Sequence, residues 1–383
     1  MTTAQPQNPA RTYISSIRLT DFRSYAELDA AFAPGLNVFY GPNGAGKTNL
    51  LEALSLLSPG RGLRRAKVED VTRREPGRER APAWGVVAEV ETPLDELRIQ
   101  VGQNPDAPAR RVVRIDGNAA SQTQMAETLT VLWLTPAQDR LFTGPASERR
   151  RFLDRFSLAH TPAHGAHVSR YEQLRSERNR LLSDGYSDAA WFRALEADLA
   201  RFGAQVAAAR VTTVELLREE IASRPEGPFP KAEIGLVGLA EEMFAGGAGL
   251  DEVRVELEAA LAARRPEERR AGRTLVGPHR SDLEVVHAPK NRPAEDCSTG
   301  EQKALLLGLV LAHARSHPER SPILLLDEVA AHLDRARRAS LAHELVDLGS
   351  QVFLTGTDRS LFEAFEPDAR MLEVRDGVVT QTK

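Results

Sequence analysis

Gly41-Pro42-Asn43-Gly44-Ala45-Gly46-Lys47-Thr48 packs three glycines, a lysine and a hydroxyl into eight residues. The spacing G-x-x-x-x-G-K-[ST] suits one chemistry, the holding of a triphosphate. Glycines let backbone N–H groups converge on a β-phosphate without a Cβ in the way. The helix that follows adds the partial positive charge of its N-terminus. Lys47 is expected to bridge the β- and γ-phosphates, and the Thr48 hydroxyl to ligate Mg²⁺. Asn49 is expected to extend the nucleotide contacts. An apolar strand at 36–40 and a helical stretch at 47–57 flank the loop, which is the context this chemistry needs.

A triphosphate site also needs a metal acid. Ile323-Leu324-Leu325-Leu326-Asp327-Glu328 ends a short, wholly apolar strand in two carboxylates. Asp327 is expected to hold the Mg²⁺ and Glu328 to orient or deprotonate the attacking water. Alone, this pattern is an ordinary strand ending in solvated acids. Beside a phosphate loop it acquires a role.

Cys297-Ser298-Thr299-Gly300-Glu301-Gln302 opens a helix 25 residues before Asp327. Ser298-x-Gly300-x-Gln302 resembles the signature motif of ABC-type ATPases, whose hydroxyl, N–H and helix terminus meet the γ-phosphate held by a second subunit. Ala331-His332-Leu333-Asp334 resembles the D-loop of the same interface, which places Asp334 there. The competing reading is a capped helix, for which Ser298 and Glu301 are themselves suitable.

The elements that position these residues form an α/β pattern at both ends of the chain. Strands are predicted at 14–19, 26–32, 36–40, 84–91, 96–101 and 111–115, with a turn at Asp116-Gly117. A short apolar run follows at 131–134. Helices are predicted at 146–158, through much of 162–222, and at 252–265. Strand character returns at 274–286, then a helix at 301–314, a strand at 323–326, a helix at 335–348 and strands at 351–355 and 371–380. The expected organisation is 1–145 and 269–383 as two parts of an ATPase head, with an all-helical lobe at 146–268 between them.

With these motifs in order, the chain resembles the RecF family of SMC-related ATPases. The resemblance is carried by Ile17-Arg18-Leu19-Thr20-Asp21-Phe22-Arg23-Ser24-Tyr25 and by the loop continuing as Lys47-Thr48-Asn49-Leu50-Leu51-Glu52-Ala53. Arg149-Arg150-Arg151-Phe152-Leu153-Asp154, Leu275-Val276-Gly277-Pro278-His279-Arg280-Ser281-Asp282 and the segment from Leu326 to Asp334 extend it over most of the chain. It implies the fold of an ABC/SMC-type P-loop head with an inserted helical lobe. It implies ATP and Mg²⁺ as cofactors and an ATP-dependent homodimer. It further implies binding to double-stranded DNA and to single-strand/double-strand junctions, work with RecR and RecO in loading RecA, and slow, DNA-stimulated ATP hydrolysis. Analogy within the class puts Arg23 near the phosphates and makes Gln138 the candidate metal-facing glutamine after the first sheet. Many members carry Asp where this chain has Glu328. The switch histidine of ABC ATPases is not evident in Phe353-Leu354-Thr355-Gly356-Thr357-Asp358, so Thr355 or Thr357 is expected in its place.

Composition sets outer limits. The net charge is −4, so no global basic field favours nucleic acid. Six of the fifty basic residues are lysine, and arginine forks suit phosphates. Arg61, Arg64, Arg65, Lys67, Arg73, Arg74, Arg78 and Arg80 fall in one loop-rich stretch and are the candidate DNA contacts, made to backbone rather than bases. A solvated face neutralised by Glu69, Asp70, Glu75 and Glu79 is the equal alternative. Cys297 is the single cysteine, so no intrachain disulfide forms, and a cytoplasmic, reducing compartment is expected. It reads as a packed small residue beside the signature. His279 reads as a nucleotide or DNA contact or, equally, as a structural hydrogen-bonding residue. No signal peptide or membrane span is expected.

Three rivals stand beside this reading. A transporter ATPase places its signature far nearer the phosphate loop than the 251 residues separating Lys47 from Ser298. A nuclease domain does not fit in the 55 residues after Glu328. A purely architectural SMC-like DNA clamp differs only in its partners.

Overall fold

The computed structural model describes residues 11–74, 77, 81, 83–185, 188–317 and 321–382. Arg78 and Arg80, with Glu75 and Glu79, lie outside the described residues, as does most of the polar N-terminus.

The chain runs β1 (Tyr13–Phe22), β2 (Tyr25–Ala31), β3 (Leu36–Tyr40) and α1 (Lys47–Ser55). Then come β4 (Gly85–Glu91), β5 (Glu96–Asn104), β6 (Ala107–Ile115), β7 (Asn118–Ala119), α2 (Gln122–Thr128) and β8 (Val131–Leu134). The middle holds α3 (Ala146–His160), α4 (His164–Ser183), α5 (Ala189–Ser223), β9 (Ala232–Val237), α6 (Leu239–Ala245) and α7 (Leu250–Ala271). It continues with β10 (Asp282–His287), β11 (Arg292–Pro293) and α8 (Thr299–Arg315). The chain ends with β12 (Ile323–Leu326), α9 (Arg335–Leu348), β13 (Val352–Gly356), β14 (Ala369–Arg375) and β15 (Val378–Gln381).

Two compact units result: Met1–Gln138 with His317–Lys383, and Asp139–Ser316. The first carries two six-stranded sheets. One has the order β2-β1-β4-β5-β6-β7, all antiparallel. The other has the order β15-β14-β3-β13-β12-β8, parallel except for the terminal β14–β15 hairpin. Parallel strands buried on both faces read as continuous apolar runs, and Leu-rich β12 is buried at all four positions. One core joins both sheets through α1: Leu50, Leu51 and Leu54 cluster with Val86 and Ile99 of the first sheet and with Phe39, Leu325 and Phe353 of the second.

The second unit packs helices around Tyr171, Leu174, Phe192, Leu199, Val253 and Leu257. Arg178 is fully buried there. It bonds Glu196 through Nε and Nη2 at 3.0 and 2.9 Å, pairs with Glu268 at 2.6 Å, and donates to Thr274 Oγ1 and Leu261 O. This burial is tolerable because almost every donor of the guanidinium is spent.

Two expectations change here. The inserted unit is not all-helical, because it holds the three-stranded sheet β11-β10-β9. Its limits are also wider than 146–268. Residues 139–145 and 269–316, assigned from the sequence to the head, belong to it. The reason is long-range pairing: β10 pairs with β9 over six residues, which ties the downstream segment to the helical one. Strand structure expected at 274–286 is confined to β10, since Gly277 adopts φ +126° and the chain turns before Asp282. Strand β9 and helices α2 and α6 were not foreseen. Among the described residues, no helix is long and apolar enough to cross a membrane.

Candidate nucleotide site

The phosphate loop leaves β3 and enters α1 through three glycines at positive φ: Gly41 at +149°, Gly44 at +81° and Gly46 at +110°. Gly46 is obligatory on two counts. Its φ is in the region that L side chains avoid, and a Cβ there would lie 2.5 Å from Tyr25 Oη. Tyr25 in turn donates to Gly46 O at 3.0 Å, and burial pushes its phenol well up, so it stays a donor. A Cβ on Gly41 would meet Val374 O at 2.1 Å. The loop is further tied to β13 by Gly41 N donating to Gly356 O at 3.3 Å. Pro42, Asn43 and Gly44 are exposed at its tip and Ala45 is buried; the Pro42 carbonyl accepts from the Ala45 N–H at 3.3 Å.

Lys47 is 5% exposed and its Nζ donates to Gly41 O at 2.6 Å and Pro42 O at 2.9 Å. Burial pushes the ammonium down from its ordinary value, while Glu328 and Asp327 pull it back up. Thr48 Oγ1 donates to Asp327 Oδ1 at 3.1 Å. That bond spans 279 residues of sequence and joins the two motifs that the sequence pairs only by analogy. Asp327 sits at the end of β12, with its N–H donating to Leu134 O at 2.8 Å. Its Oδ1 accepts a second bond, from Thr355 Oγ1 at 2.7 Å. Glu328 follows at φ +55°, left-handed, with its N–H donating to Thr355 Oγ1 at 3.0 Å. A hydroxyl and a carboxylate within hydrogen-bonding distance are hard oxygen donors, the set Mg²⁺ takes beside a nucleotide, so these residues fit that ion.

Arg23 also sits at φ +54° and forks onto Glu52, with Nε at 2.8 Å and Nη2 at 2.6 Å. Its Nη1 donates to Asp70 O at 2.9 Å. Arg64 joins the same carboxylate at 3.0 Å and donates to Asn49 Oδ1 at 2.6 Å. Asn49 donates onward to Ser24 Oγ at 2.8 Å. Glu52 is therefore a buried hub holding two arginines beside the first turns of α1. It was not singled out from the sequence, although a lone acid within the apolar run of α1 was a usable signal.

Several assignments are redirected by this geometry. Arg64, read as a DNA contact, is engaged with Asn49 and Glu52. Arg74 forms an i, i+4 pair with Asp70 at 2.9 Å. Arg61, Arg65 and Lys67 are exposed, and Arg73 is half-buried. Gln138 keeps its carbonyl on Thr135 N at 3.0 Å, so the atom a metal would take is already used locally; its Nε2 is buried with no hydrogen bond. Thr355, expected as a stand-in for the switch histidine, is 1% exposed and lies against Asp327. Thr357 is exposed.

The signature residues lie in the second unit. Ser298 caps α8 in a reciprocal box: Glu301 N donates to Ser298 Oγ, and Glu301 Oε2 accepts from Ser298 N at 2.9 Å. Lys290 and Ser298 hydrogen bonds bring the Glu301 carboxyl down to about 2. Gly300 is exposed, and a Cβ there would meet open space. Gln302 differs from its expected role as a nucleotide contact. It is 7% exposed, and its Nε2 donates to Cys297 O at 3.0 Å and Glu295 O at 3.2 Å, strapping the signature turn from behind. Cys297 is buried and its thiol is pushed up, first by that burial. In the first unit, Asp334 caps α9 by accepting from Arg337 N at 2.8 Å, with an exposed side chain.

The remaining shared segments interlock within the second unit. Arg149 forks onto Asp282 at 2.7 Å through two nitrogens, and Arg150 donates to Ser281 O at 2.7 Å. Arg210 forks onto Asp154 and donates to Pro278 O at 2.6 Å. Burial would raise the Asp154 carboxyl, but Arg210 and His164 hold it well below the carboxylate range. His279 takes its structural reading, with Nδ1 2.7 Å from Tyr171 Oη and Nε2 3.1 Å from Thr274 O.

The model of the RecF/RecN/SMC N terminal domain matches residues 13–380. The DNA replication and repair protein RecF of Mesorhizobium japonicum is 51% identical, over 98% of this chain and 99% of its own. Its counterpart from Caulobacter sp. strain K31 is 50% identical, over 96% and 97%. Among solved structures, the recombination mediator protein RecF-ATPrS of the RecFOR pathway superposes with a TM-score of 0.84 at 24% identity, over 98% of this chain and 100% of that one. The Smc head domain from Pyrococcus furiosus gives 0.55 at 18% identity, over 97% and 96%.

Proposed function

The chain belongs to the RecF family, and from that premise we propose that it is an ATP-gated recombination mediator acting in DNA replication and repair. The observation that carries the reading is the bond from Thr48 to Asp327, which brings phosphate loop and acidic strand into one site. ATP binds along 41–49, with Lys47 leaving its loop carbonyls for the β- and γ-phosphates. Arg23 stands by on the Glu52 fork. Thr48 and Asp327 would hold Mg²⁺, which when bound would supply charge neutralisation at the phosphates. Glu328 takes the proton of the attacking water, and Gln138 would be a further ligand of the ion only with its carbonyl released from Thr135 N.

Ser298 and Gly300 of one protomer complete the site of another, with Asp334 lining the same interface. ATP thus closes a homodimer on double-stranded DNA or a gapped junction, and slow hydrolysis reopens it. No chemistry is done on the DNA. RecO and RecR are the implied partners, and through them RecA. Support for this assembly comes from the family and from an exposed Ser298–Gly300 turn at a helix N-terminus.

The test is light-scattering mass with and without ATP–Mg²⁺, for wild type and Ser298→Arg, each with and without duplex DNA. The monomer is 42.0 kDa. A rise to about 84 kDa is expected, as one twofold pair, only with ATP and only in wild type. A mass that never changes overturns the trans-completed site even if ATP binds.

A further inference from the structure

Thr355 sits at the one point where the metal acid and the general base of the proposed site meet. Its hydroxyl proton goes to Asp327 Oδ1 at 2.7 Å, and its lone pair accepts the Glu328 N–H at 3.0 Å. The residue is 1% exposed and belongs to β13, which pairs in parallel with β12, so the backbone fixes its place. We propose that Thr355 is the positioning residue of the acidic pair, holding the Asp327 carboxylate toward the metal and Glu328 in its left-handed conformation. The inference rests on the nucleotide-site reading above and deepens it.

Three observations support the role. Thr48 and Thr355 direct their hydroxyls to the same oxygen, Oδ1, so the carboxylate is held from two sides. Rotation of Asp327 away from this position would leave the buried Thr355 hydroxyl without its acceptor, which a buried site resists. Glu328 is a non-glycine residue at φ +55°, a conformation that persists only when its surroundings enforce it. The bond from its N–H to Thr355 is the enforcing contact that the structure shows. A single hydroxyl therefore couples the direction of the metal ligand to the direction of the base. This differs from a switch residue, which reaches the γ-phosphate itself. Thr355 acts through its neighbours and does not touch the nucleotide.

The test compares wild type, Thr355→Ser and Thr355→Val in the full chain. Serine keeps the hydroxyl, and valine keeps the shape without it. Mn²⁺ affinity is measured by electron paramagnetic resonance in the presence of ATPγS, ATP affinity by equilibrium dialysis in EDTA, and hydrolysis by steady-state kinetics. Losing a hydrogen bond to a metal ligand typically weakens metal binding about 10–100-fold. The valine variant is expected to lose about tenfold or more in Mn²⁺ affinity and in kcat, with metal-free ATP affinity within about twofold of wild type. The serine variant is expected to stay within about threefold on every measure. Equal Mn²⁺ affinity in wild type and valine variant overturns the assignment. So does a folded serine variant that loses Mn²⁺ affinity as deeply as valine, which keeps the test decisive if valine misfolds. Wild type that binds no ATP overturns the nucleotide-site reading instead, a separate result.

Discussion

Lys47 shows what a single buried charge contributes at this site. Its ammonium lies between two loop carbonyls and the field of Asp327 and Glu328, so a triphosphate can draw it without desolvating it anew. Lys47→Met is expected to abolish ATP binding in equilibrium dialysis. Glu328→Gln keeps the shape and the Thr355 bond but removes the proposed base. ATP affinity should hold, and turnover should fall by about 10²–10⁴-fold. Wild-type turnover in that variant would contradict the base assignment. Gly46→Ala tests the loop itself. Its Cβ meets Tyr25 Oη and its φ of +110° is strained, so ATP binding should be lost with the rest of the fold intact by circular dichroism.

At the scale of elements, the second unit depends on a charge network that sits where a hydrophobic core is expected. Arg178 on α4 ties α5 through Glu196 and α7 through Glu268. Arg178→Leu leaves two carboxylates buried beside one another. Removing one partner of a buried pair costs about 3–5 kcal/mol, so the melting temperature should fall by about 10 °C. Replacing Glu268 by Leu as well should recover part of that loss, because the uncompensated charge is then removed. Differential scanning calorimetry reads both. The same unit holds the signature turn in place from behind through Gln302, which explains how an exposed capping box keeps a fixed shape.

For the whole molecule, acid is the expected stress. Burial, first among the causes, pushes the His279 imidazole down to about 3. The folded chain holds it neutral, whereas an unfolded chain protonates it near pH 6.5. Between those values the unfolded state binds more protons, so stability falls as pH falls. The slope is at most about 1.4 kcal/mol per pH unit for one such group. His167, also pushed down first by burial, adds in the same direction. Urea midpoints should therefore drop from pH 7 to pH 4.5, and His279→Gln should flatten the trend. A pH-independent wild type would show that these imidazoles are not the cause.

The proposed DNA binding also belongs to the scale of the whole chain. With a net charge of −4, affinity has to come from local phosphate contacts. Arg61→Ala with Lys67→Ala should lower the salt dependence of duplex binding by about two contacts' worth. Arg64→Ala should disturb nucleotide binding too, since Arg64 shares Glu52 with Arg23.

Local chemistry was legible in the sequence wherever it is written in consecutive residues. The strand–loop–helix that carries Gly41–Thr48, the apolar strand that ends before Asp327 and the capped helix that begins after Ser298 all follow from spacing and apolar runs, and the structure contains each of these elements. Glycines at 41, 44 and 46 announce their own backbone conformation, because few other residues adopt it. What depends on partners far apart in sequence needed the tertiary structure. Thr355 and Asp327 are 28 residues apart, Thr48 and Asp327 279, and Arg23 and Glu52 29. No periodicity encodes which hydroxyl a carboxylate will meet. The same holds for the limits of the second unit, where pairing of β9 with β10 draws in a segment that composition assigns to the head. Gln302 matches a recognition motif by type and spacing, and Arg64 belongs to a basic cluster, yet buried Gln302 is engaged by backbone carbonyls and exposed Arg64 by Asn49 and Glu52.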